Sequence, residues 1–369
     1  MKIERVAVYV VRHASGVVNT RYVNSDTMAS DLETSIVRID TDSGLTGWGE
    51  TCTAPSYYLP TLASGARAAI GHVAPLLMGE DPRSPNRILH AVNTAMRGQN
   101  PAKSALEMAL RDLHGKIHGV PLVDLWGGRI AEDLPVMCLV EEGPVDRMLA
   151  ETAEYRAQGY RLYQMKIGEG SVDEEVERIA AIMADRQPGE QFWFDPNRGW
   201  TIDTAMEILP RVAHLAPFIE QPCETYRECL AVARRCGIGL MLDEVMSDQD
   251  CLIRAAEDGI LRVAVLKMSC TGGLTPHRQM AELAGKFGIP CRIEDFYGTG
   301  LTFAAAAHLA HSLPPATTYA LYDYIDDRYP VVNNPLAVVN GRVSLPKDCG
   351  PGLGCDVNEA FLGVPLSEY

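Results

Sequence analysis

The chain has 369 residues, of which 47% are hydrophobic and 22% charged, and its net charge is −15. These values are typical of a globular protein with more than one domain, and the negative charge argues against nucleic acid or an anionic membrane as a partner. No apolar run approaches the length of about 18 residues that a membrane span needs, and the N-terminus reads as a strand rather than as a signal peptide. The ten scattered cysteines, which form no CxxC pair, predict reduced thiols and a cytoplasmic location.

The first part of the chain, residues 1–125, predicts a separate α+β domain. Alternating apolar residues indicate strands at 6–11 and 33–40, followed by a glycine-punctuated hairpin. The loop after this hairpin carries Tyr57 and Tyr58 between prolines, and it is either surface packing or a lid over a ligand. Helical spacing of apolar residues predicts three helices, at 61–77, 85–96 and 102–117.

Between residues 126 and 330, strands and helices alternate, which predicts parallel βα units. Five successive strand ends carry a charged residue at spacings of about 23 to 29 residues, the length of one such unit. The pattern predicts an α/β barrel of eight strands, which end near Val140, Lys166, Asp195, Glu220, Asp243, Lys267, Ile293 and Leu321. The last residues, 331–369, predict a hairpin that turns at Asn340 and Gly341, leaves the barrel and returns to the first domain.

Three consecutive strand ends carry carboxylates, Asp195, Glu220 and Asp243. Active sites of such barrels are built at the C-terminal ends of the strands, and carboxylate oxygens are the ligands that Mg²⁺ prefers. The alternative for each residue is a helix N-cap, a common place for an acidic side chain. Three in succession favour a magnesium site.

Two lysines, Lys166 and Lys267, flank these carboxylates along the chain. A lysine becomes a base near neutral pH when burial and a nearby divalent cation lower its pKa. Because the two strands lie on opposite sides of an eight-stranded barrel, the lysines should face opposite sides of one carbon. A metal-held carboxylate next to that carbon would stabilise the enediolate formed when the proton leaves. The alternative for either lysine alone is a surface side chain.

These motifs resemble those of the enolase superfamily, in its muconate-lactonizing-enzyme subgroup, over essentially the whole chain. The resemblance implies an α+β capping domain with lid loops, a modified (β/α)₇β barrel and a C-terminal segment that returns to the cap. It also implies a Mg²⁺ ion held by the three carboxylates and acid/base roles for the two lysines. Asn197 and Glu244 match residues that support the ligands and the second lysine.

The subgroup has a Lys-x-Lys motif after the second barrel strand. This chain has Gln164 in place of the first lysine and Lys166 as the second. The QxK form is similar to the branch that acts on hydroxyproline-type and proline-betaine substrates. The strand that ends near Ile293 leads into Glu294 and Asp295 and carries no histidine. Members of the superfamily that dehydrate acid sugars have a catalytic histidine at this position, so the resemblance disfavours that activity here.

The substrate's nitrogen needs a partner, and two sets of residues could supply it. Glu294, Asp295 and Asp323 follow strand ends and would receive a secondary ammonium, whereas an aromatic cage would suit a betaine. The tyrosines that could form a cage are Tyr57, Tyr58, Tyr322 and Tyr324. The acids favour a small-molecule carboxylate with a free amine, such as cis-3-hydroxy-L-proline, which would be dehydrated, epimerised at C2, or both.

Three other functions remain open at this point: a proline-betaine 2-epimerase, a dipeptide epimerase that uses Asp323, and a non-catalytic metal- or metabolite-binding relic. The five charged residues at successive strand ends argue against the relic. We also expect the protein to be a homo-oligomer.

Overall fold

The computed structural model describes residues 1–13, 32–53, 61–323 and 326–369. The N-terminal part is an antiparallel sheet covered by helices, and its elements are β1 (Ile3–His13), β2 (Leu32–Thr41), β3 (Thr46–Cys52), α1 (Ala63–Val73), α2 (Pro85–Ala95) and α3 (Asn100–His118). Val6, Ile39 and Leu106 belong to a hydrophobic core that these elements enclose. The predicted α+β domain is confirmed, with helix ends that differ by a few residues.

In the described part of the chain, eight parallel strands close into a barrel. They are β4 (Leu134–Val140), β5 (Leu162–Lys166), β6 (Gln191–Asp195), β7 (Phe218–Glu220), β8 (Leu240–Leu242), β9 (Leu261–Lys267), β10 (Cys291–Glu294) and β11 (Thr318–Tyr322). Each strand pairs with the next, and β11 pairs back with β4 through Leu321 and Val136. This confirms the predicted modified (β/α)₇β barrel.

The seven connections between barrel strands each carry at least one helix in the described residues. These helices are α4 (Val145–Ala157), α5 (Val172–Asp185), α6 (Ile202–Val212), α7 (Tyr226–Cys236), α8 (Gln249–Glu257), α9 (Met268–Thr271), α10 (Leu274–Lys286) and α11 (Gly300–His311). Ser171 and Thr225 begin α5 and α7 with capping boxes, in which the N-cap hydroxyl and a glutamate three residues later satisfy each other's backbone N–H groups. Local sequence thus specifies where these helices start.

The barrel interior is filled with apolar side chains, which include Met137, Leu162, Trp193, Met241, Val263, Val265 and Ala320. Side chains alternate between the two faces of a strand. Lys166, Asp195 and Lys267 therefore point to the same interior, because they lie two or four residues beyond Leu162, Trp193 and Val265. The polar end of the barrel is built directly on this apolar floor.

The C-terminal hairpin consists of β12 (Val338–Val339) and β13 (Arg342–Val343), and the prediction that it leaves the barrel is wrong. Arg342 and Val343 pair with Pro135 and Leu134 of β4. Strand β4 begins two residues before its pairing with β11, so an open edge remains there for β13. After α12 (Glu359–Leu362), the chain reaches β14 (Ser367–Glu368), which pairs with β1. The domain boundaries proposed from the sequence stay predictions.

No helix within the described ranges is both long enough and apolar enough to cross a membrane. All ten cysteines lie in these ranges, and no disulfide bond joins them there.

Candidate active site

The candidate site residues lie at the C-terminal ends of neighbouring barrel strands. Lys166, Asp195, Glu220, Lys267 and Glu294 are each the last residue of a strand, and Asp243 directly follows β8. All six are buried, with Lys166 the most exposed at 8%. A group of ionised side chains this deep is stable only when its members are paired and hydrogen-bonded.

Lys166 binds two side chains at the end of the neighbouring strand β6. Its Nζ donates to Asp195 Oδ2 at 2.6 Å and to Asn197 Oδ1 at 2.8 Å. Burial alone would lower the pKa of Lys166, but the charges of Asp195 and Glu220 outweigh it and raise the pKa. The protein's own carboxylates therefore favour the ammonium form of Lys166 over the neutral amine.

Lys267 forms the equivalent cluster across the barrel. Its Nζ contacts both oxygens of Asp243 and lies 3.7 Å from Glu294 Oε1. The ring of Phe296 also lies close, with its centroid 5.0 Å from the ammonium. Burial opposes the charged form, but Asp243 and Glu294 outweigh it and raise the pKa of Lys267. Each lysine thus pairs with a different carboxylate, Asp195 or Asp243, and both carboxylates are candidate metal ligands.

Glu220 lies between these two clusters and binds Gln164 and Arg292. Gln164 Nε2 donates to Glu220 Oε2 at 2.8 Å and to Asp195 Oδ2 at 2.9 Å. Arg292 donates to both oxygens of Glu220, at 2.7 and 2.8 Å. Burial raises the pKa of Glu220 to about 7; Arg292 opposes the rise, and the charges of Asp195 and Asp243 add to it. The three carboxylates therefore repel one another even with their cationic neighbours in place.

Arg292 is the site residue that sequence reasoning missed. It is 1% exposed, binds Glu294 as well as Glu220, with Nη2 3.0 Å from Glu294 Oε1, and lies over the ring of Trp193. The signal was available: Arg292 precedes Glu294 by two residues on a strand, so the two side chains must share a face. A buried arginine on the inner face of a barrel strand needs carboxylate partners at the same depth.

Removal of this cation should cost far more stability than removal of a surface one. Arg292→Met is expected to lower the free energy of unfolding by about 3–5 kcal/mol, because Glu220 and Glu294 are left buried without their partner. The matched control is Arg342→Met, whose ion pair with Asp133 is exposed and should contribute less than about 1 kcal/mol. Urea denaturation of both variants measures the difference, and equal small losses would contradict this account of Arg292.

Asn197 and Glu244 lie together beside the lysine clusters. Asn197, in the left-handed backbone region at a φ of 43°, donates from Nδ2 to Glu244 Oε1 at 3.5 Å. Arg198 Nε lies at the same distance from this oxygen. Burial, with the charges of Asp243 and Asp195, raises the pKa of Glu244 to about 8. The charge of Glu244 contributes to the raised pKa of Lys267. Its hydrogen-bond donor, Asn197, also binds Lys166.

The predicted substrate-binding residues do not all come together. Glu294 faces the interior next to Lys267, as given above. Asp295 directly follows β10, and its carboxylate accepts hydrogen bonds from Ser269 and from the backbone of Phe296. Asp323 follows β11, and burial, together with the charge of Asp323, raises the pKa of Tyr160. Tyr57, Tyr58 and Tyr324 lie outside the described residues.

The donor set fits a magnesium ion in its chemistry. Asp195, Glu220 and Asp243 offer only carboxylate oxygens, the hard ligands that Mg²⁺ takes, and one Gln164 nitrogen reaches two of them. Within the described ranges, no three Asp, Glu, His or Cys side chains stand ready as a metal-binding group. Lys166, Arg292 and Lys267 contact the carboxylates that would bind the ion.

Fold and site together define a barrel enzyme whose carboxylates and lysines converge beneath a capping domain. Comparison with known families agrees. The profile described as "Mandelate racemase / muconate lactonizing enzyme, N-terminal domain" matches residues 8–127, and the one described as "Enolase C-terminal domain-like" matches residues 147–361. The chain belongs to the enolase superfamily.

Individual relatives cover nearly the whole chain. The chain is 34% identical to a cis-3-hydroxy-L-proline dehydratase of Roseibium aggregatum, over 92% of both chains. It is 29% identical to an L-Lys-D/L-Arg epimerase of Desulforapulum autotrophicum, over 88% of this chain and 92% of that one. A crystal structure of an enolase-superfamily member from Roseovarius nubinhibens ISM, complexed with magnesium, superposes with a TM-score of 0.91 at 34% identity, covering 100% of this chain and 99% of that one.

Proposed function

We propose that this protein is a Mg²⁺-dependent enzyme that removes the α-proton of a proline-type amino acid. Its main reaction would be dehydration of cis-3-hydroxy-L-proline to pyrroline-2-carboxylate, with 2-epimerisation as a competing outcome. The observation that carries the proposal is the placement of Lys166 and Lys267 on β5 and β9, four strands apart in a closed barrel of eight. Two lysines therefore approach the interior from opposite sides, with the carboxylates between them, which supports a role for both in proton transfer.

Asp195, Glu220 and Asp243 would hold the metal, with Gln164 and Asn197 orienting the carboxylate of Asp195. When bound, Mg²⁺ supplies a positive charge that screens the carboxylates and holds the substrate's carboxylate group. Mg²⁺ is supported by the donor set and by the magnesium in a similar solved structure. The same charge would offset the carboxylates that now raise the pKa of each lysine.

One lysine, as the neutral amine, takes the proton from Cα and becomes an ammonium. The electron pair of the broken C–H bond moves toward the substrate carboxylate and gives an enediolate. The opposite lysine, as an ammonium, then donates a proton. Donation to the other face of Cα inverts the centre, whereas donation to the C3 hydroxyl releases water and leaves a double bond between C2 and C3. Tautomerisation of that enamine yields the pyrroline carboxylate.

The substrate's ammonium would be received by Glu294, which lies at the end of β10 beside Lys267. Arg292 holds this carboxylate in place, and Tyr322 lines the same interior. Asp295, whose oxygens accept hydrogen bonds from Ser269 and Phe296, also stays a proposal from the sequence. Asp323 and Tyr57 remain proposals from the sequence alone.

Two epimerases and a relic are the alternatives to the dehydratase. A betaine 2-epimerase would need only proton transfer at Cα, and the L-Lys-D/L-Arg epimerase among the relatives favours testing dipeptides as well. A non-catalytic relic would turn over none of these substrates. All four hypotheses are separated by one set of substrates.

We expect cis-3-hydroxy-L-proline to be converted with a higher kcat/KM than any N-methylated proline betaine. A 3-hydroxyl lies next to the enediolate and can leave, whereas a 4-hydroxyl is one carbon too far, so 4-hydroxy-L-proline should give exchange or epimerisation and no pyrroline. The measurement is NMR in deuterated water with each proline analogue and a dipeptide panel. Faster turnover of the betaine or of a dipeptide would replace the dehydratase with an epimerase, and no exchange in any substrate would favour the relic.

We further propose a cytoplasmic homo-oligomer. The lack of disulfides among the ten cysteines, all of which lie in the described ranges, is consistent with a reducing compartment. Light scattering of the purified protein measures the number of subunits.

A further inference from the structure

The turn that follows Lys267 is held by a buried carboxylate of the neighbouring strand. Ser269 lies two residues after Lys267, donates from its backbone N–H to Asp295 Oδ1 at 3.2 Å, and donates from its hydroxyl to Asp295 Oδ2 at 2.7 Å. Asp295 directly follows Glu294, the last residue of β10. One side chain therefore ties the connection after β9 to the end of β10.

The same carboxylate orients the aromatic ring beside the lysine. The backbone N–H of Phe296 donates to Asp295 Oδ1 at 2.9 Å. The Phe296 ring lies 5.0 Å from Lys267 Nζ, within the range of about 6 Å in which a ring attracts a cation. A displacement of Asp295 would thus move both the backbone beyond Lys267 and the ring against its ammonium.

A residue of the capping domain completes this arrangement. Thr51, on β3, places its hydroxyl 2.7 Å from the hydroxyl of Ser269. Because the Ser269 proton is donated to Asp295, Thr51 is the donor in this pair. The hydrogen bonds run in one direction, from Thr51 through Ser269 to Asp295, and such chains polarise one another. Thr51 and Asp295 are 1% exposed and Ser269 is fully buried, so solvent does not compete for these bonds.

Strand β3 also contacts α11, the helix that follows β10. Glu50, next to Thr51, accepts hydrogen bonds at Oε2 from the backbone N–H groups of Thr299 and Thr302, at 3.1 and 2.9 Å. These residues stand at the start of α11. The capping domain is therefore docked on the connections after both β9 and β10, the strands that carry Lys267 and Glu294.

We propose that Thr51, Ser269 and Asp295 are positioning residues for Lys267, and that the docked capping domain thereby sets where this lysine's ammonium lies. This inference rests on the proposed function in one respect, the role of Lys267 in proton transfer. Lys166 does not take part in this series of hydrogen bonds, since its contacts are Asp195 and Asn197. Proton exchange on the two faces of the substrate should consequently respond differently when these hydrogen bonds are removed.

The test compares Thr51→Val and Ser269→Ala with two controls. Thr51→Ser keeps the donor hydroxyl, and Thr152→Val removes a hydroxyl that is equally buried but bonds only within α4, to the carbonyl of Met148. Solvent-deuterium exchange at Cα is measured for each enantiomer. We expect Thr51→Val to slow exchange on the Lys267 face by about tenfold and Ser269→Ala by about 10- to 100-fold, as small misplacements of a reacting group do. Exchange on the Lys166 face, KM and both controls should stay at the wild-type level.

A second readout needs no substrate. The reactivity of Lys267 toward a small amine-reactive reagent is measured at one pH by peptide mass spectrometry, as a ratio to Lys116 of the capping domain. Thr51→Val and Ser269→Ala should raise this ratio, and the two controls should not. If the wild-type protein exchanges no α-proton, the proposed function fails and this ratio alone decides the positioning role.

An unchanged ratio in both variants, or an equal change in Thr152→Val, would overturn the proposal. A change in Ser269→Ala without one in Thr51→Val would overturn the part assigned to the capping domain. Equal loss of exchange on both faces would show a general structural effect and would also overturn it.

Discussion

Asp195→Asn and Glu220→Gln should each lower turnover by about 10³-fold or more, and EDTA should abolish it until Mg²⁺ is added back. A bound divalent ion supplies several kcal/mol of charge stabilisation in such reactions, and each 1.4 kcal/mol is about a tenfold change in rate. Both residues are at most 1% exposed and bind Gln164, and each amide replaces a negatively charged carboxylate ligand with a neutral group that has one oxygen.

The matched control for the metal is Asp133→Asn. Asp133 is an exposed carboxylate that pairs with Arg342, so its loss should leave both activity and Mg²⁺ binding unchanged. Calorimetric titration with Mg²⁺ measures binding separately from turnover, and circular dichroism checks that each variant is folded. Undiminished activity in EDTA, or Mg²⁺ binding to Glu220→Gln with wild-type affinity, would remove the magnesium assignment.

Lys166→Ala and Lys267→Ala should lose α-proton exchange on opposite enantiomers. Their strands lie across the barrel from each other, and each ammonium has its own carboxylate partner, Asp195 or Asp243. Each single variant therefore keeps one complete proton-transfer group. We expect net dehydration or epimerisation to fall by about 10²- to 10⁴-fold in both, the usual contribution of a positioned acid or base, while exchange persists on one face.

The measurement is NMR of each enantiomer in deuterated water with the Mg²⁺-loaded protein. Lys116→Ala serves as the control because Lys116 also pairs with a buried aspartate, Asp112, but lies in the capping domain. It should keep exchange on both enantiomers. If Lys166→Ala and Lys267→Ala both lose exchange on both enantiomers, the two lysines do not act on opposite faces.

Much of this site could be predicted because its residues stand at the ends of apolar runs. Lys166, Asp195, Glu220 and Lys267 each close a short hydrophobic segment, and parallel βα units bring such ends to one rim. Their chemistry is also local information: carboxylates indicate a hard cation, and two lysines flanking them indicate proton transfer. None of these inferences required knowledge of which residues touch.

Other residues could not be placed without the barrel itself. Glu294 and Asp295 are adjacent and chemically alike, so either could have faced the substrate, and a shift of one residue exchanges the two. Arg292 interrupts an apolar strand, and only the closed barrel shows that its guanidinium reaches Glu220, 72 residues away. The C-terminal hairpin pairs with β4 because an edge is open there, which depends on how β11 closes the sheet.

The sequence by itself determined the order of the strands, the kinds of charged groups at their ends and the family to which the chain belongs. The first two follow from local periodicity and spacing, which the alternation of side chains along the backbone imposes on any sequence, and the family follows from the resemblance of these motifs to those of the enolase superfamily. Tertiary structure alone decided that Glu294 lies beside Lys267 while Asp295 binds Ser269, and which cation lies beneath Glu220. It also brought Thr51 to Ser269 across 218 residues, because a contact between distant segments exists only once both domains have folded and docked.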